Sequence, residues 1–589
     1  MNLPDLSQAA FPLVPSSGYD LIVIGSGPGG EACAVRAAQL GQRVAVIEKK
    51  SSFGGPTGLT SKAVREATKR ICRAVDQIGG DRRRQVKGLW RRSFPALKTE
   101  AEVFQVVETR DKLAKYGVDL FVGACTLIDT SQEDYLSFGE ASGPGVTTLR
   151  VCRPSECIDL SAKHVCIATG SRPSRPAFHA PGVALPFDSS TRIVTASEMG
   201  AIKELPNAVA IIGGGVIAVE YATVLAELGV GVSLICPEAS FMSFLDPEIR
   251  SSLKRRMKDG HVLFVHEAIR EIKVGTDDAT DPLKVILEPR LMEGKGNSTR
   301  QLPERRLTVD LVLYSGGRDA NSDGLGLEDI GIQMGKYGRI LVGGEGSFRC
   351  RGSENGNYSV HAIGDVIGAG LASTAQQQGR LVAESIFGQI TAFEDALSEQ
   401  EAAEEEGEEV GGEGDDVTES DDFFRIEPAA SAVGSSAMLF GASSDAPLTL
   451  WTLPEIAQVG MTAVAARAFE AESGHAIRGS TVEGYGYFKD MARGRLSGEM
   501  DGYLKVVAWR KHGEKQHTIV GVQILGEGAN ELIQLGSILL HSGSTIEQVS
   551  RTPFAAVTLS ALYQMACDDA ILRARALALA APAPPTPGE

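Results

Sequence analysis

A strand, a glycine-rich turn and a helix occur twice in this chain, far apart, and that repeated unit restricts the fold more than any other feature. The first copy begins with the apolar run YDLIVIG, Tyr19 to Gly25. The turn Gly25-Ser-Gly27-Pro-Gly-Gly30 and the Ala-rich stretch EACAVRAAQLG follow, and a second apolar run, RVAVIE, ends at Glu48. The second copy is AVAIIGGGVIAVEYATVLAELGVGVSLIC, Ala208 to Cys236. Short apolar runs bounded by glycine suit strands buried on both faces, and an intervening helical period makes each copy a βαβ unit of about 30 residues. Two such units predict two dinucleotide sites in one polypeptide.

In the first unit each small residue has a distinct task. Gly25 permits the tight turn, Gly27 lets a pyrophosphate approach the backbone, and Gly30 lets helix and strand pack closely. The helix N-terminus offers unpaired N–H groups and partial positive charge to a diphosphate. Glu48, at the end of the second strand, is placed to accept hydrogen bonds from a ribose. The second unit repeats the pattern with Gly213, Gly215 and Ala218. An acid at the end of its second strand would select NAD and a nearby Arg would select NADP. Cys236 stands there, no Arg or Lys follows closely, and Glu238 comes shortly after. Neither device is legible, as expected of a site that takes both coenzymes or one that uses contacts from elsewhere in the chain.

A length of 589 residues allows several domains. A net charge of −17 excludes a sequence-independent binder of nucleic-acid backbones, which needs clustered Lys and Arg. The 9 Cys show no zinc spacing, so no metal site is expected and the thiols read as reduced. A C-x4-C at Cys152 and Cys157 lies in a polar stretch between Leu149 and Leu160 and reads as chance spacing. No apolar run is long enough to span a bilayer, and the N-terminal stretch has no Lys or Arg for a targeting signal, so no membrane partner and a cytoplasmic location are expected. Residues 391–446 open with an acidic low-complexity run that self-repels and buries little, predicting a disordered spacer, and the Pro-rich C-terminus predicts a frayed tail.

Further motifs raise the specificity. ATGSRP (Ala168 to Pro173) follows an apolar strand, and HAIGDVIG (His361 to Gly368) runs from a strand into a Gly-Asp turn. The order GSGPGG, SKAVREA, ATGSRP, GGGVIAVE, SGGRDAN, HAIGDVIG resembles the class I FAD-dependent pyridine nucleotide-disulfide oxidoreductases, which include glutathione reductase and dihydrolipoamide dehydrogenase. The resemblance spans about Tyr19 to Met565, apart from the acidic insert. It implies an α/β fold with two Rossmann-like domains, for FAD and NAD(P), and a C-terminal α+β dimerisation domain.

The corresponding division is an N-terminal extension (1–18), an FAD-binding domain in two parts (19–185 and 316–390), an NAD(P)-binding domain (186–315), the insert (391–446), an interface domain (447–572) and a tail (573–589). By the same resemblance, FAD occupies the first site, Asp365 binds the ribityl hydroxyl, and Thr169 and Gly170 line the flavin domain. Lys62 in SKAVREA pairs with Glu220 beside flavin N5, and a second copy of the chain is the partner. Alternating strands with an amphipathic helix at Asn530 to Leu540 predict an α+β unit that buries a face against that partner.

What the family carries and this chain does not is also informative. Disulfide-reducing members have two redox Cys ahead of the Ser-Lys; the segment here, FGGPTGLTSKAVREA, is shorter and has none. Their C-terminal His–Glu acid–base pair aligns with Ala556 and Ala561. Loss of both halves of one relay implies hydride exchange between NADPH and NAD+ through FAD, with both nucleotides as substrates. The alternatives are an NAD(P)H:acceptor reductase for quinones or dyes, and a flavin-binding sensor or docking protein.

Overall fold

In the computed structural model, the described residues are 11–12, 14, 18–50, 52–55, 59–78, 81–128, 146–180, 183–187, 190–275, 281–289, 291–293, 299–301, 304–343, 348–353, 359–368, 370–388, 446–472, 480–498, 500–511 and 513–579. The acidic insert and the Pro-rich end lie outside them.

The first βαβ unit seeds a seven-stranded sheet. Its strands are β1 (Tyr19–Ile24), β2 (Val44–Glu48), β3 (Asp119–Val122), β4 (Ala124–Ile128), β5 (Thr147–Cys152) and β6 (Cys157–Ile167), in the order β3-β2-β1-β6-β5-β4. The strand Val360–Ala362 returns late in the sequence to pair with β6. The β1, β2, β3 and β6 pairings are parallel, as buried apolar strands flanked by helices require, whereas β4, β5 and β6 form an antiparallel edge. Helices α1 (Pro28–Gln39), α2 (Leu59–Ile78) and α3 (Arg82–Lys115) follow in this part.

The second unit builds a five-stranded, all-parallel sheet. It contains β7 (Ile193–Thr195), β8 (Ala208–Ile212), β9 (Gly231–Ile235), β10 (Leu263–Val265) and β11 (Leu311–Tyr314), in the order β7-β11-β8-β9-β10. Helix α4 (Val216–Glu227) joins β8 to β9, and α5 (Pro247–Asp259) joins β9 to β10. The chain then re-enters the first unit, where α6 (Ala372–Phe387) packs along α1.

The C-terminal unit is a five-stranded antiparallel sheet of β12 (Leu448–Leu450), β13 (Ile456–Gly460), β14 (Thr481–Tyr487), β15 (Tyr503–Trp509) and β16 (Thr518–Leu525). It is backed by α7 (Ala529–His541) and α8 (Ala561–Leu579). The α7 helix buries Leu532, Ile533 and Gly536 on its own sheet and leaves Ile538 exposed. Helix α8 runs on to Leu579, through the boundary at 572 that composition suggested.

The Cys152 and Cys157 reading is corrected. The two residues stand directly opposite each other in the β5–β6 hairpin, and Arg153 N donates to Glu156 O across its turn. That pairing brings the Cα atoms to 4.1 Å, and the sulfurs are bonded. The polar stretch is the turn and flanking strands of a hairpin with alternating burial rather than a loop. The other 7 cysteines are free and buried.

One apolar core joins the units. Val64, Ala67 and Ile71 of α2 pack with Trp90 and Phe94 of α3, with Val219 and Ala222 of α4, and with Leu450 and Ile456 of the C-terminal sheet. Helix α2 therefore stands between the second dinucleotide fold and the C-terminal sheet. Among the described residues, no helix is long and apolar enough to cross a membrane.

Candidate functional site

The Gly-rich turn after β1 has the geometry its composition calls for. Gly25 has φ +104°, and a Cβ there would lie 2.5 Å from Ala168 O. A Cβ on Gly30 would lie 2.0 Å from Gly25 O, so strand and helix touch at backbone distance. Gly27, the N-cap of α1, instead faces open space, and no side chain caps the helix. Helix α1 thus presents a bare, accessible N-terminus. The Glu48 carboxylate closes one side: its Oε2 accepts from Ser26 N (2.9 Å) and Ser26 Oγ (2.7 Å). Beneath the turn, Gln105 of α3 donates to the carbonyls of Gly54 and Gly55 at 2.9 Å each, and Phe53 is buried. Gly54 and Gly55 are thereby held, and Gly55 lies beside Gly27.

Across the same cleft, Asp365 sits in a short turn after the strand Val360–Ala362. Its Oδ2 accepts from Ser171 Oγ at 2.5 Å, its Oδ1 accepts from Gly370 N at 3.0 Å, and Arg318 Nε lies 3.7 Å away. Burial lowers the Arg318 pKa while Asp365 opposes that shift. Thr169 and Gly170 border this group: Asn321 Nδ2 donates to Thr169 O at 3.0 Å, and Gly170 has open space at its Cα. Thr169 Oγ1 is buried with no hydrogen-bond partner. An orphaned hydroxyl, an uncapped helix N-terminus and a glycine with nothing above it together fit a dinucleotide laid across the turn.

The second fold repeats the cradle. Gly213 has φ +129°, and a Cβ there would meet Ser315 O at 2.7 Å; Gly215 caps α4 and faces open space. Ala218 is fully buried on the sheet side of α4, where a larger side chain would push helix from strand.

The folds meet at α2 and α4. Glu220 is buried on α4, and its oxygens accept from Ser61 Oγ (2.8 Å) and from Trp451 N (2.9 Å). Lys62, beside Ser61, is held below the usual lysine pKa by burial, an effect Glu220 counteracts. Its Nζ lies 5.5 Å from the Trp451 ring centroid, and the Arg65 guanidinium lies 5.3 Å from the same ring. Arg65 Nε donates to Thr452 O at 3.2 Å, Arg65 also ion-pairs with buried Glu455, and Lys69 Nζ reaches Glu527 at 2.8 Å. Sequence reasoning anticipated Lys62 and Glu220 but missed Trp451 and the Arg65–Glu455 bridge. These join through separations of 231 and 390 residues, and the only local signal was a tryptophan at a strand end.

Sequence reasoning also missed the charges at the end of β9. Cys236 is buried, and burial pushes its thiol up to about 11. Glu238, however, is met by Lys254 of α5 and by His266 Nε2 at 2.9 Å. The alternation in Pro247–Asp259 carried a signal: Ile249, Leu253 and Met257 face inward, which puts Lys254, Arg255 and Lys258 on other faces.

These features define a flavoprotein oxidoreductase that works with nicotinamide coenzymes, and the chain belongs to the pyridine nucleotide-disulphide oxidoreductase family. That family's model matches residues 19–379, and its dimerisation-domain model matches residues 446–566. Its cofactors are FAD and NAD(P). The chain is 30% identical to a soluble pyridine nucleotide transhydrogenase of Hahella chejuensis, over 94% of this chain and 98% of that one. It is 27% identical to the protein of the same name in Mycobacterium tuberculosis, over 95% and 98%. Among solved structures, LpdA from Mycobacterium tuberculosis superposes with a TM-score of 0.66 at 20% identity, covering 93% of this chain and 99% of that one. The flavoprotein disulfide reductase RclA from Escherichia coli superposes with a TM-score of 0.64 at 18% identity, over 94% and 99%.

Proposed function

We propose that this chain moves hydride between NADPH and NAD+, in either direction, by a ping-pong route through its flavin and without a redox disulfide. The observation that carries the reading is the floor at which the folds meet. There α2 brings Ser61 and Lys62 to Glu220 and Trp451, and the segment leading into α2, Phe53 to Ala67, contains no Cys. The bonded pair Cys152–Cys157 belongs to the β5–β6 hairpin in the antiparallel part of the first sheet, not to the Phe53 to Ala67 segment. Relatives that share nearly the whole length bear the transhydrogenase name, which supports the same reading.

Bound in the first fold, FAD would supply a two-electron carrier able to accept and donate hydride. The protein's part is placement. Gly25, Gly27 and Gly30 with the α1 N-terminus hold the diphosphate, Glu48 takes the ribose, and Asp365 with Thr169 and Gly170 holds the polyol side. Gly213, Gly215 and Ala218 admit the nicotinamide coenzyme over α4. Lys62 lies where negative charge would build on the ring, and the Glu220 carboxylate opposes the burial that lowers the Lys62 pKa. The coenzymes have nearly equal potentials, so the reaction needs positioning more than acid–base groups.

The C-terminal unit leaves the large apolar side chains of Ile538, Val557, Leu572 and Leu579 exposed, which supports a homodimer formed through this unit. Sedimentation that finds only a 62.3 kDa species would overturn that part. For the reaction, the holoenzyme is mixed anaerobically with one equivalent of NADPH and then with NAD+. NADPH should bleach the flavin absorbance and NAD+ should restore it. A bleached flavin that NAD+ leaves bleached, but a quinone reoxidises, sinks the transhydrogenase reading in favour of an acceptor reductase.

A further inference from the structure

At the end of β9, an acid and two bases that are distant in sequence converge on a single point. Glu238 lies in the turn directly after Cys236; Lys254 contacts both of its carboxylate oxygens, and His266 Nε2 lies 2.9 Å from Oε2. The other ring nitrogen of His266 faces Cys236 O at 2.9 Å. Both ring nitrogens thus face oxygen acceptors. Lys254 Nζ also lies 5.2 Å from the Phe264 ring centroid, with Lys258 at 6.0 Å from the same ring. Beyond it, Ser251, Lys254, Arg255, Lys258 and Asp259 line an open cleft of about 310 Å³. Glu238 itself is 65% exposed, so its partners can be exchanged for those of a ligand.

The place matters. In a βαβ dinucleotide fold, the residues just past the second strand meet the adenosine ribose; an acid there binds the 2′-hydroxyl and a base there binds a 2′-phosphate. Cys236 occupies the expected acid position but is buried, and its Sγ packs against Gly214. The first exposed charged group at this point is therefore Glu238, with the half-buried Lys254 and His266 against it.

We propose that Glu238, Lys254 and His266 form an exchangeable charge triad that lets one site accept both nicotinamide coenzymes; this rests on the two-coenzyme reading above. With NAD(H), Glu238 accepts a hydrogen bond from the ribose 2′-hydroxyl and keeps its cations. With NADP(H), Lys254 and His266 turn from Glu238 to the 2′-phosphate, and Glu238 swings to solvent. In the unliganded triad the Lys254 ammonium already faces the Glu238 carboxylate, so neither ligand meets a bare carboxylate.

The test uses FAD-loaded protein and two fragments, 5′-AMP and 2′,5′-ADP, with dissociation constants from calorimetry. Lys254→Ala should weaken 2′,5′-ADP at least about tenfold and leave 5′-AMP within about twofold, as loss of one charge-assisted contact predicts. Glu238→Gln should tighten 2′,5′-ADP and weaken 5′-AMP. Lys254→Gln, which keeps the aliphatic stem over Phe264, serves as a second variant and should behave as Lys254→Ala does. If the wild type binds both fragments but the variants shift both equally or neither, the triad is wrong and the two-coenzyme reading stands. If the wild type binds only one fragment, that reading falls and the triad falls with it.

Discussion

The Lys62 ammonium stands under opposed influences. Burial lowers its pKa, and the nearby Glu220 carboxylate raises it. Because the net folded value lies below the ordinary one, the unfolded chain binds more protons between the two values. Stability from this group therefore rises with pH through that window and is lowest when Lys62 is charged on both sides. Glu220→Gln removes the opposing term and should drive the Lys62 pKa lower still. The expected outcome is a basic limb of flavin-reduction rate that moves to lower pH in Glu220→Gln, measured by stopped-flow with NADPH. An unmoved limb would detach Glu220 from Lys62. The oxygens of Glu220 are also bonded to Ser61 Oγ and Trp451 N, so a lower flavin content in the variant would report their loss separately.

At the level of elements, the glycine turns show how backbone distance limits a strand–helix junction. Gly30→Ala would put a methyl 2.0 Å from Gly25 O, and α1 would have to move off β1. The cost should be about 1–3 kcal/mol, in the range of overpacked cores, with loss of flavin as well. Gly27→Ala meets nothing within 4 Å in the protein, so it should fold with an unchanged melting temperature yet retain less FAD. Thermal melts and the flavin-to-protein absorbance ratio separate the two. These turns were fully legible in the sequence, because strand, glycines, helix and terminal acid are contiguous. The β5–β6 hairpin was not: Cys152 and Cys157 pair across an edge whose polar outward residues mask the alternation, and only the register sets them opposite each other.

At the scale of the molecule, α5 ties the second dinucleotide fold to the C-terminal sheet. Its N-cap, Asp246, accepts from Glu248 N at 3.0 Å and from Lys505 Nζ of β15 at 2.7 Å, with both side chains 1% exposed. Glu248 at 3.3 Å and Glu483 at 3.5 Å complete the cluster around the ammonium. Lys505→Met would leave the Asp246 charge buried without its cation and should cost about 3–5 kcal/mol in denaturant unfolding. Pairing it with Asp246→Asn should recover much of the loss, and a double mutant no better than the single would deny the coupling. The same helix carries Lys254, so the clamp also sets where the cation meets Glu238.

The amino-acid sequence by itself determined the two dinucleotide cradles, the family and the Cys-free entry to α2, since each is written in neighbouring residues whose spacing dictates a local geometry. Only the tertiary structure decided the chemistry at the junctions. Trp451 over Lys62, Lys505 against Asp246, His266 and Lys254 on Glu238, and the Cys152–Cys157 bond all depend on strand order and helix docking. Their partners come together because separate elements bury their apolar faces in shared cores, and no local pattern encodes which distant side chains that burial will bring into contact.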